Sequence, residues 1–338
     1  MFEDITLIIP THNRHKYLSR ILDYYRDAPF NIIVADSSSE PYKGTLAANV
    51  SYHRFDVRTL TEKLGLSIRL VTTPYVFMCA DDDFIIIDGI NKCLQFLKGN
   101  PSYSSVQGNI ICYLKESSNS NKVDFRTLYN HSLDYRISDE DPFERLASFF
   151  KTYRTNFYGV HQTSNLLQAF EGVDKKFTSI YLNEYLTNII PLIEGNFAEL
   201  PFLFQVREYS TTSDGAVSQN VDAIFTNRQF KADFDSLIEH QAAIVATILN
   251  ADLKYCIEKI DEILTDFANQ LKIYKQTPAK VGGNKQIGNI ISKIPIMGKS
   301  IINKFRDIEV KKRLEPYIRT EDELNELKKI SRIIQKHA

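Results

Sequence analysis

Apolar residues fall along the first hundred positions in two alternating rhythms. Short unbroken runs, "ITLIIP" at 5–10, "NIIVAD" at 31–36 and "YVFMCA" at 75–80, have the length and β-branched content of buried strands. Between them the period lengthens. Leu18, Ile21, Leu22 and Tyr25 repeat at helical spacing, and "RTLTEKLGLSIRLVTT" (58–73) predicts a second helix. Ile90, Cys93, Leu94 and Leu97 form the stripe of a third, which Asp88 can cap and Gly99 and Pro101 stop. Strand and helix in strict alternation predict an α/β fold, a Rossmann-like, mostly parallel sheet with helices on both faces. Strand-like pieces and the helical "DEDPFERLASFFKTY" continue this domain to about residue 225. From 226 onward the pattern is helical, broken near Asn250 and again at the linker-like "TPAKVGGNK". The expected organisation is a domain over 1–225, with halves 1–110 and 111–225, and a helical C-terminal extension over 226–338.

In a parallel sheet of this kind ligands bind beyond the carboxyl ends of the strands. The polar residues collect there: Thr11, His12, Asn13 and Arg14 after the first strand, Asp36 after the second, and Asp81, Asp82 and Asp83 after "YVFMCA". A solvated turn whose acids cap the next helix is the plain reading of an acidic triplet. It suits this one poorly, because "FIII" follows directly and leaves little water for three unpaired charges. In an extended segment Asp81 and Asp83 would share a face, with Asp82 opposite. Two converging carboxylates repel unless a cation lies between them, and hard oxygen donors suit Mg²⁺ or Mn²⁺. Asp36 by itself is also an ordinary turn residue.

The ordered set "ITLIIPTHNR", "NIIVADSSS" and "KLGLSIRLVTTPYVFMCADDDF" resembles the nucleotide-binding half of GT-A glycosyltransferases, specifically the inverting family 2 group, over roughly residues 1–110. The resemblance implies that Pro10, Thr11 and Arg14 border a nucleotide-sugar and that Asp36 faces the base or ribose. It implies Lys63 and Arg69 on the pyrophosphate side, Asp81 and Asp82 toward the nucleotide, and Asp83 with Asp81 as ligands of Mn²⁺ or Mg²⁺. The triple acid departs from the usual D-x-D of that family, which leaves open which two act. An inverting transferase also needs a carboxylate base about a hundred residues after the metal motif. "YLNEYLTNIIPLIEGN" (181–196) resembles that segment, with Glu184 as the base, Asn183 in place of the usual first acid, and Asp174 and Glu171 as fallbacks. His161 and Arg207 stand where acceptor or diphosphate contacts are expected. A core histidine and a surface ion pair are their plain readings.

Composition narrows the partners. The chain has 338 residues with 41 Lys and Arg against 42 Asp and Glu, so no global basic field points to nucleic acid. Four scattered cysteines without a C-x-x-C pair argue against a zinc site or disulfide framework. The start lacks the pattern of a secretory signal and no run is long enough to span a bilayer, so the expected location is cytoplasmic. Residues 285–313 interleave eight Lys or Arg with isoleucines, which suits contact with an anionic membrane surface, or else a helix with a basic outer face. The expected partners are a nucleotide-sugar, a UDP-sugar first, and a glycan or lipid-linked acceptor of bacterial surface polysaccharide synthesis. The alternatives are a nucleotidyltransferase on a related fold, which would need a glycine-rich loop where "PTHNR" stands, or an inactive nucleotide-sugar-binding subunit. A Rossmann oxidoreductase lacks its G-x-G-x-x-G here.

Overall fold

The computed structural model describes residues 2–57, 59–117, 120–127, 134–173, 177, 179–209, 218–276, 314 and 317–337. The segment 285–313 and Asp174 lie outside the described residues. The chain opens as β1 (Ile5–Thr11), α1 (His15–Tyr24), β2 (Asn31–Asp36), β3 (Val50–Arg54), α2 (Leu60–Ile68), β4 (Tyr75–Met78), β5 (Phe84–Ile85) and α3 (Ile87–Gly99). It continues through β6 (Tyr103–Ser117), β7 (Ser120–Thr127), β8 (Tyr135–Ile137), α4 (Pro142–Lys151), β9 (Val160–Gln162), α5 (Thr163–Phe170), α6 (Ile180–Glu194) and β10 (Asn196–Glu208). Helices α7 (Arg228–Leu249), α8 (Leu253–Gln276) and α9 (Glu321–Lys336) follow. Asp88 does not cap α3, whose N-cap position is Ile86. The break at Asn250 is real: the residue adopts the left-handed conformation, which asparagine tolerates, and closes α7.

The sheet runs β3-β2-β1-β4-β9-β6-β10-β5, with β7 paired to β6 and β8 to β10. Strands β3, β2, β1 and β4 are parallel, as the alternating pattern requires. The short β9 then runs antiparallel between β4 and β6, and β5 runs antiparallel to β10. The sheet is therefore mixed beyond β4. Bulges in β10 between Leu200 and Gln205 bend it against β6. Gly108 lies opposite, where a Cβ would fall 2.5 Å from the Phe202 carbonyl, so the two backbones approach at a distance only glycine permits.

The C-terminal helices share the sheet's core. Phe230, Phe234 and Leu237 of α7, Ile260 and Leu264 of α8, and Leu327 and Ile330 of α9 are buried in one contiguous hydrophobic cluster with β1 and β2. Helix α9 docks on α1 through a hydrogen bond from the Tyr24 hydroxyl to Glu326 (2.9 Å) and an ion pair of Lys336 with Asp23 (2.7 Å). Its capping carboxylate, Glu323, is buried and accepts N–H bonds from Leu203, Arg319 and Thr320 at 2.7–3.1 Å. Glu323→Ala should therefore lower stability by about 1–3 kcal/mol in urea melts, because it orphans the Leu203 N–H inside the protein. A loss under about 0.5 kcal/mol would mean that α9 is not tied to the bulge of β10. Among the described residues no helix is long and apolar enough to cross a membrane.

Candidate functional site

The register Thr11↔Asp36↔Arg54 sets the carboxyl ends of β1, β2 and β3 side by side. The chain leaves β1 through Asn13, at φ 53°, with its N–H donating to Ser38 Oγ (2.7 Å) and its Oδ1 accepting from Ser39 N (3.0 Å). That turn aims Arg14 across the crevice. Its guanidinium meets Asp81 Oδ1 at 3.1 Å and Asp82 Oδ2 at 2.6 Å, while Thr11 Oγ1 donates to Asp81 Oδ2 at 2.7 Å. Asp81 and Asp82 thus share one cation.

The expected alternation of the three acids fails because the segment is not extended. The Asp83 N–H bonds back to the Ala80 carbonyl (3.1 Å) in a turn, and β5 then pairs with β10. Asp83 consequently faces β10, where Oδ2 accepts from Gln205 Nε2 (3.0 Å) and Oδ1 from the Glu208 N–H (2.8 Å), with Arg207 Nε at 3.6 Å. Burial pushes the Asp81 carboxyl up to about 6 against the pull of Arg14 and Thr11. Burial and then the neighbouring Asp82 push Asp83 up to about 7, with Arg207 pulling the other way.

Behind the turn stands a buried frame with no counterpart in the sequence reading. Arg20 donates to Glu208 Oε2 (2.9 Å) and to the Asp82 carbonyl (2.8 Å). The Tyr113 hydroxyl donates to Glu208 Oε2 at 2.5 Å and lies 3.1 Å from the same carbonyl. Arg20 thus ties the Asp82 backbone to Glu208, and Tyr113 closes the frame on the same carboxylate. Arg20 on the buried face of α1 was the one local sign of it. Its partner Glu208 lies 188 residues away.

The remaining expected residues divide. Pro10 pairs with Ala35 at the crevice edge, and the buried Lys63 donates to the Thr11 carbonyl (2.6 Å), so both belong to the β1 end. Arg69 does not. It is exposed past the C-terminus of α2, six residues and about 9 Å along the axis from Lys63, toward the amino end of β4. A groove of about 750 Å³, lined by Thr73, Tyr75, Gln162 and Leu167, also opens at that opposite edge. His161 is a core residue: it is wholly buried in β9, its Nε2 is 2.9 Å from the Asn156 carbonyl, and burial pushes its pKa down to about 4. The structure brings neither Arg69 nor His161 to the crevice. Asp36 is fully buried, and hydrogen bonds from Ser38, Tyr52 and His15 outweigh burial and hold its carboxyl below the usual range.

Glu184 lies in the second turn of α6, half-buried, with its Oε2 accepting from the Tyr153 hydroxyl at 2.7 Å. Burial raises its pKa, against the Tyr153 hydrogen bond and the charge of Arg207. Arg207 itself lies 3.6 Å from Asp83 Oδ2 and over the Tyr158 ring at 5.7 Å. Asn183, beside Glu184, is buried in the core, and Glu171 is exposed at the end of α5.

The donors on the turn are hard oxygens, the kind Mg²⁺ and Mn²⁺ take, usually one or two carboxylates together with substrate phosphates. Among the described residues no three His, Cys, Asp or Glu side chains are arranged to hold an ion by themselves. Asp81 has one oxygen on Thr11 and the other on Arg14. Asp83 likewise has one oxygen on Gln205 and the other on the Glu208 N–H, while Asp82 accepts from Arg14 on Oδ2. The oxygens fit an ion taken up by the acidic turn together with a ligand, with Asp82 the carboxylate that has fewest of these bonds to give up.

A parallel first half, an acidic turn at its carboxyl edge and a second half built on β6 and β10 define a GT-A glycosyltransferase fold. Over residues 6–158 the chain matches the family model described as Glycosyl transferase family 2. Among solved structures, S. aureus TarS 1-349 is similar at 15% identity and a TM-score of 0.50, over 99% of this chain and 90% of that one. The same TarS fragment in complex with UDP-GlcNAc gives 17% identity and a TM-score of 0.49, over 80% of this chain and 73% of that one. The longer S. aureus TarS gives 17% and 0.45, with 79% of this chain covered. The chain spans 43% of that longer protein. At these identities the likeness is one of fold. No curated protein matches the chain.

Proposed function

We propose that the protein is a metal-dependent inverting glycosyltransferase that moves a sugar from a nucleoside-diphosphate donor, a UDP-sugar first, to a glycan or lipid-linked acceptor of bacterial surface polysaccharide. The observation that carries the reading is the acidic turn Asp81–Asp83 at the carboxyl end of the parallel strands, with Arg14 on one side and Arg207 on the other. In this reading the β1 end, with Thr11 and Arg14, borders the nucleotide. Arg207 sits between the diphosphate side and the acceptor side and offers positive charge to the departing phosphate. Glu184, held by the Tyr153 hydroxyl, takes the proton of the acceptor hydroxyl as that oxygen attacks the anomeric carbon and the nucleoside diphosphate leaves. A bound Mg²⁺ or Mn²⁺, held by the acidic turn Asp81–Asp83, would neutralise the diphosphate.

Calorimetry with UDP-, GDP-, CMP- and dTDP-sugars, with and without Mn²⁺, tests the donor half of this reading. One donor should bind, more tightly with Mn²⁺, and Asp83→Asn should remove the increment due to Mn²⁺. Binding that ignores both EDTA and Asp83→Asn would overturn the metal assignment.

A further inference from the structure

Only one of the two Glu184 oxygens is engaged. Oε2 accepts from the Tyr153 hydroxyl at 2.7 Å, and among the described residues Oε1 accepts no hydrogen bond. An ionised carboxylate accepts on both oxygens, so this one donor decides which of them is left over. Tyr153 stands just past the end of α4, and its ring is set by four others. It stacks on Phe150 at 5.8 Å, meets Phe149 edge-on at 5.6 Å and Tyr185 at 6.1 Å, and lies 4.9 Å from Phe267. The nearest of the four, Phe267, belongs to α8 in the C-terminal extension. It is buried and also lies 5.3 Å from Phe150 and 5.9 Å from Tyr185, the residue after Glu184. One side chain of the extension thus packs on three rings of the acceptor half.

We infer that Tyr153 is the positioning residue of the base: its hydroxyl holds Oε2, leaves Oε1 to take the acceptor proton, and is kept there by Phe267. The C-terminal extension then completes the catalytic half of the molecule. The inference rests on the reading of Glu184 as the base. A hydroxyl that donates to a carboxylate favours the ionised form, so its removal should raise the Glu184 pKa. The other titratable or charged groups facing Glu184 are Arg207 of β10 and Tyr181 and Tyr185 of α6. Arg207 keeps its charge at every working pH, and burial raises both tyrosines above their ordinary value. None of them titrates with Glu184, so a shift on removing the Tyr153 hydroxyl reports that hydroxyl.

The test follows the Glu184 carboxyl in the free protein by side-chain ¹³C titration, with Glu184→Gln identifying its signal. Tyr153→Phe keeps the ring and removes the hydroxyl; the midpoint should move up by roughly one pH unit. Phe267→Leu keeps the hydroxyl and removes its brace, and should move the midpoint the same way; Phe267→Met replaces it if leucine costs the fold. Turnover is read as release of nucleoside diphosphate from the donor that calorimetry selects, with water as acceptor. Below the pH limb each variant should be about tenfold slower, because one unit leaves a tenth of the base ionised, with nucleotide affinity unchanged. In the Glu184→Gln background the same changes should alter the residual rate by less than about twofold, since Tyr153 acts only through Glu184. A merely structural tyrosine would leave the midpoint where it is. A midpoint unmoved in Tyr153→Phe overturns the inference. One that moves there but in neither Phe267 variant overturns the part played by α8. Wild-type turnover in Glu184→Gln removes the base reading instead, whatever the titration shows, and this inference falls with it.

Discussion

Glu184→Gln is expected to bind nucleotide as the wild type does and to turn over on the order of a hundred- to ten-thousand-fold more slowly. Glutamine keeps the length of the side chain and its contact with Tyr153, so what is lost is the ability to accept a proton. The pH profile separates this from a packing effect. A general base acts only when ionised, and burial holds the Glu184 carboxyl above its ordinary value. Wild-type turnover should therefore rise as the pH climbs through that raised pKa, and the residual rate of the variant should lack that limb. Near wild-type turnover in the variant would remove Glu184 as the base. Glu171, exposed at the end of α5, and Asp174 would then be the next residues to change.

Arg20→Leu should cost about 3–5 kcal/mol of stability, read from the urea midpoint at constant slope. The side chain is 3% exposed and its partner Glu208 11%, so solvent does little to screen what is left behind. Removing the guanidinium takes the ion-pair partner from a mostly buried carboxylate and strips the Asp82 carbonyl of its Arg20 hydrogen bond. Glu208→Leu in the same chain should recover a large part of the loss, because two apolar groups leave no buried charge. The double variant should still bind nucleotide less well than the wild type, since the turn carrying Asp82 and Asp83 is no longer held. If Arg20→Leu costs under about 1 kcal/mol, the frame is not what fixes the acidic turn.

Much of the first half was legible because its signals are local. A buried strand writes itself as an unbroken apolar run and an amphipathic helix as a stripe, so β1, β2, β4, α1 and α3 lie close to where the periodicity predicts them. The acidic residues at the strand ends were legible for the same reason, since chain order alone brings them to one edge of a parallel sheet. Strand β3 was not. It is an edge strand, half-exposed throughout, and carries no apolar run to betray it. Strands β5 and β9, of two and three residues, are too short for any period.

What the sequence by itself determined is therefore the fold of the first half and the crevice into which Asp36 and the triple aspartate fall. Only the tertiary structure decided where each of those acids points. Asp83 turns toward Gln205 and Arg207, more than a hundred residues away, because a tight turn and the antiparallel pairing of β5 with β10 override strand alternation. Asp36 accepts hydrogen bonds from Ser38 and Tyr52 and lies beside His15. Arg69 and His161 were assigned to the site by resemblance and removed from it by position. A residue's neighbours along the chain set its conformation and the side of the sheet it serves. Its charge state and its free hydrogen-bonding edge depend on partners that only the packed fold brings near.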